Sequence, residues 1–233
     1  MARVVKQHAV RQREILDTAQ RLVYSKGYEQ MTVQDILDTL QIAKGTFFHY
    51  FNSKQALLEA LVDRMMEEMD QVIAPVMHDP NLSAIERLQS FFATTARWKV
   101  TQKVFLLQLL HVWYADHNAI LRQKVRAAAF KRFAPFINAI ACQGVQEGIF
   151  TTPYPEQIGE VVFVLIEGLG DSFVEPLLAN GPRLEDLPRA ESAVCAYTDA
   201  LERVLGAPHG SVQLLDGDTL QEWFDLREEG DGR

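Results

Sequence analysis

The chain has 233 residues, of which 48% are hydrophobic, 23% charged and 9% aromatic. This composition is typical of globular proteins and excludes wholesale disorder. No apolar run approaches the ~18 residues of a membrane-spanning helix, and the first residues lack the apolar stretch of a signal peptide. Two cysteines, Cys142 and Cys195, cannot form a disulfide framework or a four-ligand zinc site. We therefore expect a cytoplasmic protein with reduced thiols and with no cofactor, metal or membrane partner.

The formal net charge of −8 argues at first against a nucleic-acid partner. However, residues 1–54 carry eight Lys or Arg side chains against five Asp or Glu, so this segment is basic and the remainder is acidic. A basic segment on an acidic body is typical of proteins that bind an anionic polymer through one end.

The hydrophobic periodicity is helical along most of the chain, and no segment alternates as a strand does. A first helix is predicted from Arg11 to Ser25, ended by Gly27, and a long helix from Lys54 towards Val76, ended by Pro75 and the following turn residues. The predicted fold is all-α, with about nine helices and a possible short tenth. The other helices are predicted at about 32–40, 44–50, 83–97, 100–114, 118–148 (kinked at Pro135), 155–179 and 187–205.

Four regions follow from this pattern. They are an N-terminal domain of short helices at 1–53, for which residues 32–50 suggest a DNA-binding helix-turn-helix, a connecting helix at 54–76, a larger helical domain at 77–206 and an acidic tail at 207–233. We expect the tail to be loose, with one short amphipathic segment near Leu220, Trp223, Phe224 and Leu226.

Residues 32–50 have the size of a helix-turn-helix: a short helix, a turn of about three residues and a second short helix. Thr32 to Asp35 resembles a capping box, and Ser83 to Glu86 is another. In the second helix, Lys44 and His49 suit phosphates, Thr46 suits a base edge, and Gly45 suits the close approach of a phosphate or backbone. Further basic residues, Arg3, Lys6, Arg11 and Arg13, lie before or in the first turn of the predicted first helix and could reach the DNA backbone or minor groove.

Spacing alone leaves a second interpretation open, because short helix pairs occur in many all-α proteins. The aromatic residues of this segment can serve as core. Phe51 and one of Phe47 and Phe48 must anchor the second helix against its neighbours.

The residues themselves add a resemblance. The segments Thr32-Val-Gln-Asp-Ile36, Ile42-Ala-Lys-Gly-Thr-Phe-Phe-His-Tyr-Phe51, Ser53-Lys54 and Leu57-Leu58 resemble the N-terminal domain of TetR-family transcriptional regulators. The similarity covers about residues 11–62. It implies a homodimer in which each subunit has a three-helix DNA-binding head and a larger C-terminal domain for a small ligand.

The resemblance also implies roles for individual residues. Thr32 would contact phosphate, Lys44, Thr46 and Phe47 would lie in or near the major groove, and Phe48, His49, Tyr50 and Lys54 would face the DNA backbone. Together with Gly45, these are the candidate DNA-binding residues.

Three positions depart from the family pattern. Gln41 stands where the turn usually has Gly, so a left-handed or distorted backbone is expected there. Ala43 replaces the usual Ser at the N-cap, which loses a cap worth roughly 1 kcal/mol. Phe48 replaces a Tyr and lacks its hydroxyl.

The resemblance implies a ligand cavity among the helices at about 83–178, where aromatic residues are abundant and polar residues interrupt apolar runs. Each of these side chains also suits a core role, and Glu167 with Asp171 suits either a cationic ligand or an exposed acidic face. The candidate ligand-binding residues are Trp98, Phe105, Gln108, His111, Tyr114, Phe133, Phe136 and Cys142.

The last two long helices carry wide apolar stripes, and two such helices from each subunit would form a four-helix bundle. The candidate dimer-interface residues are Ile158, Val161, Val162, Leu165, Leu169, Val194, Tyr197, Leu201 and Val204. A two-fold dimer would require a palindromic double-stranded DNA operator.

We therefore expect a homodimeric repressor that a small, largely apolar or aromatic effector releases from DNA. Two alternatives are open: a regulator of the same fold that answers to a protein partner or to no ligand, and an all-α enzyme. The sequence has no nucleophile–base pair or glycine-rich phosphate loop that would indicate a catalytic site.

Overall fold

The computed structural model describes residues 2–115 and 118–225, without the side chains of residues 2–7, 121 and 180. The described residues form ten α-helices and no strand, which confirms the predicted all-α class. The helices are α1 (Ala2–Lys26), α2 (Val33–Leu40), α3 (Lys44–Tyr50), α4 (Lys54–His78), α5 (Ala84–Thr101), α6 (Lys103–Tyr114), α7 (Ala119–Gln146), α8 (Ile158–Asn180), α9 (Leu187–Leu205) and α10 (Gly217–Phe224). None of them is both long and apolar enough to cross a membrane.

The chain forms two compact units. The first, here called the head, combines the described residues up to Glu68 with Val104–Gln123. The second, here called the body, combines Met69–Lys103 with the described residues from Lys124 onwards. Residues 104–123 thus belong with the N-terminal helices, although they lie far from them in the chain. The domain boundaries drawn from the sequence stay a prediction.

Helix α1 is longer than the sequence predicted. Its apolar face buries Ile15, Ala19 and Val23, and it ends at Gly27, whose positive φ of 80° accepts the turn out of the helix. The helix begins at Ala2, because no Gly or Pro interrupts the first residues. The prediction that Arg3 and Lys6 precede the first helix is therefore wrong, since both lie within α1 together with Arg11 and Arg13.

Two capping boxes fix the starts of α2 and α5, as predicted. The Thr32 hydroxyl accepts from the Asp35 amide at 3.2 Å, and the Thr32 amide donates to the Asp35 carboxylate at 2.7 Å. Ser83 and Glu86 make the same reciprocal bonds. Each box satisfies amides that the first helical turn leaves without intrahelical partners.

The turn between α2 and α3 is strained at one residue. Gln41 has φ 50° and ψ 46°, and among the described residues it is the one non-glycine with a positive φ. A side chain in this left-handed region costs roughly 1–2 kcal/mol. No capping bond at the start of α3 offsets this cost, because Ala43 at its N-cap makes no side-chain hydrogen bond. Both expectations from the sequence are confirmed.

Helix α4 runs to His78, two residues beyond the predicted Val76, and ends directly before the turn residues that the sequence placed at its end. The last carbonyls are satisfied from outside the helix. Arg87 donates to the carbonyl of Met77 at 3.3 Å and to that of Asp79 at 2.5 Å. Pro75 therefore lies in the last turns of α4, and the Arg87 guanidinium bonds to a carbonyl at the end of this helix.

The expected loose tail is wrong for residues 207–225. The buried carboxylate of Glu202 accepts from the amides of Gly210 and Val212, each at 3.0 Å, and so ties the segment to α9. The following helix, α10, buries Leu220 and Phe224 in the body. The acidic composition of the tail predicted a solvated segment, but the apolar residues between the acidic ones pack against the body. Leu226 and the rest of the tail lie outside the described residues.

Replacing Gln41 by Gly should raise the free energy of unfolding by about 1 kcal/mol, because glycine adopts the left-handed conformation without the side-chain penalty. Urea unfolding of the full chain measures this change. The matched control is Gln34→Gly within α2, which should lower stability by about 1 kcal/mol. A Gln41→Gly protein that is no more stable than wild type would show that the turn is not strained.

Candidate nucleic-acid interface

Helix α3 has one buried side and one exposed side. Phe47 is 0% exposed, whereas Phe48 is 41% exposed and Lys44, Gly45 and His49 also face outwards. The helix contains no acidic residue. Its outer side therefore presents a cation, an imidazole and bare backbone without a carboxylate to repel phosphate.

The structure decides which aromatic residues anchor α3. Phe47 and Phe51 are buried with ring centroids 5.8 Å apart, as the sequence analysis required of Phe51 and one neighbour. Phe48 lies on the exposed side, with the Lys44 ammonium 5.9 Å from its ring centre. The prediction that the Phe47 side chain reaches DNA conflicts with its complete burial. We correct it: Phe47 holds α3 in the head.

Gly45 lies on the exposed side of α3, and no atom lies within 4 Å of the position a Cβ would take. Packing within the head therefore does not require glycine here. A glycine that costs about 1 kcal/mol of helix stability without a steric need inside the protein fits a backbone that another molecule approaches closely.

Thr32 is exposed, but its hydroxyl is already engaged by Asp35 at 2.6 Å. Asp35 is also 2.6 Å from the Lys26 ammonium. The ammonium of Lys26, together with Thr32, holds the pKa of the Asp35 carboxyl well below its usual range. Thr32 thus lies at the N-cap of α2 with its hydroxyl already engaged, and its contact with phosphate stays a prediction.

Lys54 has partners within the head. Its ammonium lies 4.3 Å from the centre of the Tyr28 ring and donates to the Glu29 carbonyl at 3.2 Å. Partial burial lowers the pKa of Lys54 and raises that of Tyr28 to about 12. Lys54 therefore stabilises the start of α4 against the α1–α2 turn, and any contact with DNA would come in addition to this role.

Sequence reasoning missed His8. Its imidazole lies against Tyr50 at 4.5 Å and against His49 at 5.5 Å between ring centroids, so α1 supports the end of α3. The signal was present in the uninterrupted helical sequence before Arg11, but the predicted helix began too late. Tyr50 is half-buried beside this contact, and Thr46 is half-buried one turn earlier.

The eight predicted ligand-binding residues are divided between the two units. In the head, Phe105 is buried against Tyr24 at 5.4 Å, Tyr114 lies under the Arg122 guanidinium at 5.0 Å, and Gln108 and His111 are exposed. In the body, Trp98 is buried, Phe133 and Phe136 lie 6.5 Å apart, and Cys142 is a half-buried free thiol. Their joint role as a pocket stays a prediction.

A small cleft of about 30 Å³ lies in the body between α8, α9 and α10, and the sequence analysis did not identify it. This volume accommodates about one or two water molecules. None of the predicted ligand-binding residues lines it. The lining residues are Ser172, Phe173, Pro176, Asp186, Arg189, Ala190, Ala193 and Phe224.

The predicted dimer stripe divides into an inner and an outer face. Five of its residues are already buried within their own chain and have little surface left for an interface, so their predicted role is chiefly internal packing: Ile158, Val162, Leu169, Val194 and Leu201. The reason is that α8 and α9 pack against each other, and one face of each helix is used up in that contact. Leu165, Tyr197 and Val204 are half-buried.

Val161 is 46% exposed and Val164 is 60% exposed, so α8 keeps an outer apolar face. Val164 was missed, although it lies one turn after Val161. Helical spacing shows which apolar residues of α8 share a face. Only the packing of α9 against α8 shows which of the two faces is covered.

Two family profiles match this chain. The profile of "Bacterial regulatory proteins, tetR family" matches residues 15–61, and that of "Tetracyclin repressor-like, C-terminal domain" matches residues 111–172. The HTH-type transcriptional repressor DhaR of Mycobacterium sp. is 29% identical over 94 residues, covering 40% of this chain and 44% of DhaR. The HTH-type transcriptional regulator EthR of Mycolicibacterium smegmatis is 31% identical over 86 residues, covering 35% of this chain and 40% of EthR. The alignments thus span about two-fifths of these curated relatives.

Solved structures agree in fold. A transcriptional regulator from Cytophaga hutchinsonii aligns over 81% of this chain and 95% of its own, with a TM-score of 0.62 and 14% identity. The reduced form of Escherichia coli NemR aligns over 84% of this chain and 98% of its own, with a TM-score of 0.53 and 15% identity. The α2–turn–α3 geometry and both profile matches support one assignment, to the TetR family of bacterial regulatory proteins.

Proposed function

We propose that the protein is a homodimeric transcriptional repressor that binds a palindromic operator through α3 and is released by a small effector. The observation that carries the proposal is the outer side of α3, which is free of carboxylates and exposes Lys44, Gly45 and His49. Phosphate contacts by such groups supply affinity, and base-edge contacts supply specificity. A bacterial regulator of this kind acts in the cytoplasm on the chromosome, and no reaction is assigned to it.

Within this proposal, Lys44 and His49 contact phosphates and Thr46 contacts a base edge. Gly45 lets a phosphate or sugar approach the backbone of α3, where nothing in the head competes for the space. The aromatic contact of His8 with Tyr50 supports the end of α3, which under this proposal lies beside the DNA backbone.

The proposed dimer uses the outer face of α8, with Val161 and Val164 at its centre, together with the half-buried Tyr197 and Val204 of α9. An exposed apolar face on a helix favours burial against a second copy of the same face. Two copies of α3 related by a two-fold axis then read two half-sites about 34–36 Å apart.

The effector acts by preferring one of two conformations of the dimer. Helix α4 begins in the head and ends in the body, so a change in its tilt connects effector binding with the spacing of the two α3 helices. The effector shifts the equilibrium only by the difference between its affinities for the two conformations.

The first test is the selection of bound duplexes from a random-sequence pool at two salt concentrations. The expected result is one family of palindromes whose affinity falls steeply as salt rises. Enrichment of non-palindromic sites would contradict the dimeric mode, and no enrichment at either salt concentration would contradict operator binding. In that case control by a protein partner becomes the leading interpretation.

On the selected duplex, Lys44→Ala should weaken binding of all sequences alike and reduce the salt slope by about 1, because one phosphate contact is lost. Thr46→Ala should instead change the base preference at one position of each half-site, by about 1–3 kcal/mol. Fluorescence anisotropy at several salt concentrations measures both effects. Lys131→Ala, an exposed lysine of α7, is the matched control and should bind as wild type.

Val164→Asp should dissociate the dimer, because an unpaired carboxylate would be buried twice across the two-fold axis. A penalty of about 3 kcal/mol raises the dissociation constant roughly a hundredfold. Sedimentation equilibrium of the full chain measures it. The control is Val104→Asp in the head, at a valine that is 55% exposed. If both variants remain dimeric, α8 does not form the interface.

A further inference from the structure

An aromatic cluster at the end of α3 is completed by a side chain from α1. The ring of His8 lies 5.5 Å from that of His49 and 4.5 Å from that of Tyr50, measured between centroids. The rings of His49 and Tyr50 lie 5.1 Å apart. Two imidazoles from different helices thus meet beside one tyrosine ring, whereas the DNA contact proposed above uses only one of them.

Both imidazoles lie on the surface of the head. His8 and His49 are exposed, and Tyr50 is half-buried beside them. His49 follows Gly45 by four residues, so helical geometry places it one turn further along the exposed side of α3. Because His8 contacts His49, α1 contributes a polar ring to the edge of this side.

No acidic side chain competes for the two rings. Among the described residues, neither imidazole has a carboxylate within ion-pair distance. Helix α3 has no acidic residue, and its other cation, Lys44, is also exposed. On α1 the charged residue one turn after His8 is Arg11, which is paired with Glu14 at 2.7 Å. The ammonium of Lys54, where α4 begins, is engaged within the head.

Two neighbouring imidazoles suit a single phosphate. Histidine gains its charge between pH 5 and 8, and an imidazolium donates from both ring nitrogens. A backbone phosphate of DNA has two free oxygens, so each oxygen can accept from one ring. Two imidazoliums side by side repel each other, and an anion between them relieves that repulsion. The phenol of Tyr50 also faces the rings, but tyrosine is ordinarily uncharged in this pH range.

We propose that His8 and His49 together bind one phosphate of the DNA backbone in their protonated form, so that DNA binding takes up protons. This inference rests on the proposed function, to which it adds a residue of α1 and a dependence on pH. The phosphate stabilises the charged rings, so affinity rises as the pH falls from 8 to 6 and is lost as the pH rises again. Because a phosphate contact carries no sequence information, the base preference stays the same at both pH values.

The test measures binding of the full chain to a selected duplex at pH 6 and pH 8. Fluorescence anisotropy is recorded over a series of salt concentrations, with EDTA present so that a metal ion held by the two rings does not contribute. Wild type should bind about tenfold or more tightly at pH 6, with a salt slope larger by about 1. Equal affinities and equal salt slopes at the two pH values would overturn the proposal.

Glutamine variants assign the effect, because glutamine keeps an N–H donor and stays neutral. His8→Gln and His49→Gln should each lose about fivefold in affinity at pH 6 and less than about twofold at pH 8, and the double variant should bind alike at both. The matched control is His209→Gln, at an exposed histidine of the body, which should keep the full pH dependence. Circular dichroism and Tm at each pH establish that every variant is folded.

The same variants separate a phosphate contact from a supporting role. If His8 only supports α3 through Tyr50, His8→Gln weakens binding equally at pH 6 and pH 8, and the proposal is wrong.

The phosphate itself can be located with neutral methylphosphonate replacements, made at one backbone position at a time. One position in each half-site should abolish the difference between pH 6 and pH 8, and His8→Gln should have no further effect on that duplex. A pH dependence that survives replacement at every position would show that the two imidazoles do not bind a phosphate.

Failure of this inference is distinguishable from failure of the proposed function. Selected duplexes that bind equally well at both pH values would contradict the two-imidazole contact and leave operator binding standing. If no duplex binds at either pH, the proposed function is contradicted and this inference falls with it.

Discussion

The burial of Phe47 is the contact on which the rest of the head depends. Helix α3 has seven residues, and a helix this short is not stable by itself in water. It is also preceded by a residue in the left-handed region and begins without a side-chain cap. Tertiary packing of Phe47 and Phe51 must therefore supply what local sequence does not. Because these two rings are fixed inside, the opposite side of α3 is exposed and available for recognition.

Some cationic side chains of the head are paired within the protein, and others are exposed on its surface. Lys26 is paired with Asp35, and Lys54 is held by Tyr28 and Glu29, so both stabilise the arrangement of α1, α2 and α4. Arg64 of α4 donates to Asp17 of α1 at 2.6 Å and has the same effect. Lys44 and His49 lie on the outer side of α3 instead. A basic segment is thus not equivalent to a basic surface, because only some of its cationic side chains are exposed to solvent.

The body shows the same division among apolar residues. Helices α8 and α9 bury one face against each other, and α8 retains Val161 and Val164 outside. The two outer valines thus lie where burial within a single chain would not put them. Exposed apolar positions of this kind are where a second copy or another partner would best account for the sequence.

The sequence by itself determined the all-α class, both capping boxes, the strained Gln41 and the bounds of α2, α3 and α9, because these depend on neighbouring residues and local backbone preferences. It also supplied the family, through an ordered run of residues around α3. It did not determine which of Phe47 and Phe48 is buried, that Lys54 has partners within the head, or that α10 packs on the body. Nor did it show that five of the predicted interface residues are internal. Only the tertiary structure decided these points, because helical periodicity tells which residues share a face and not which neighbour covers that face.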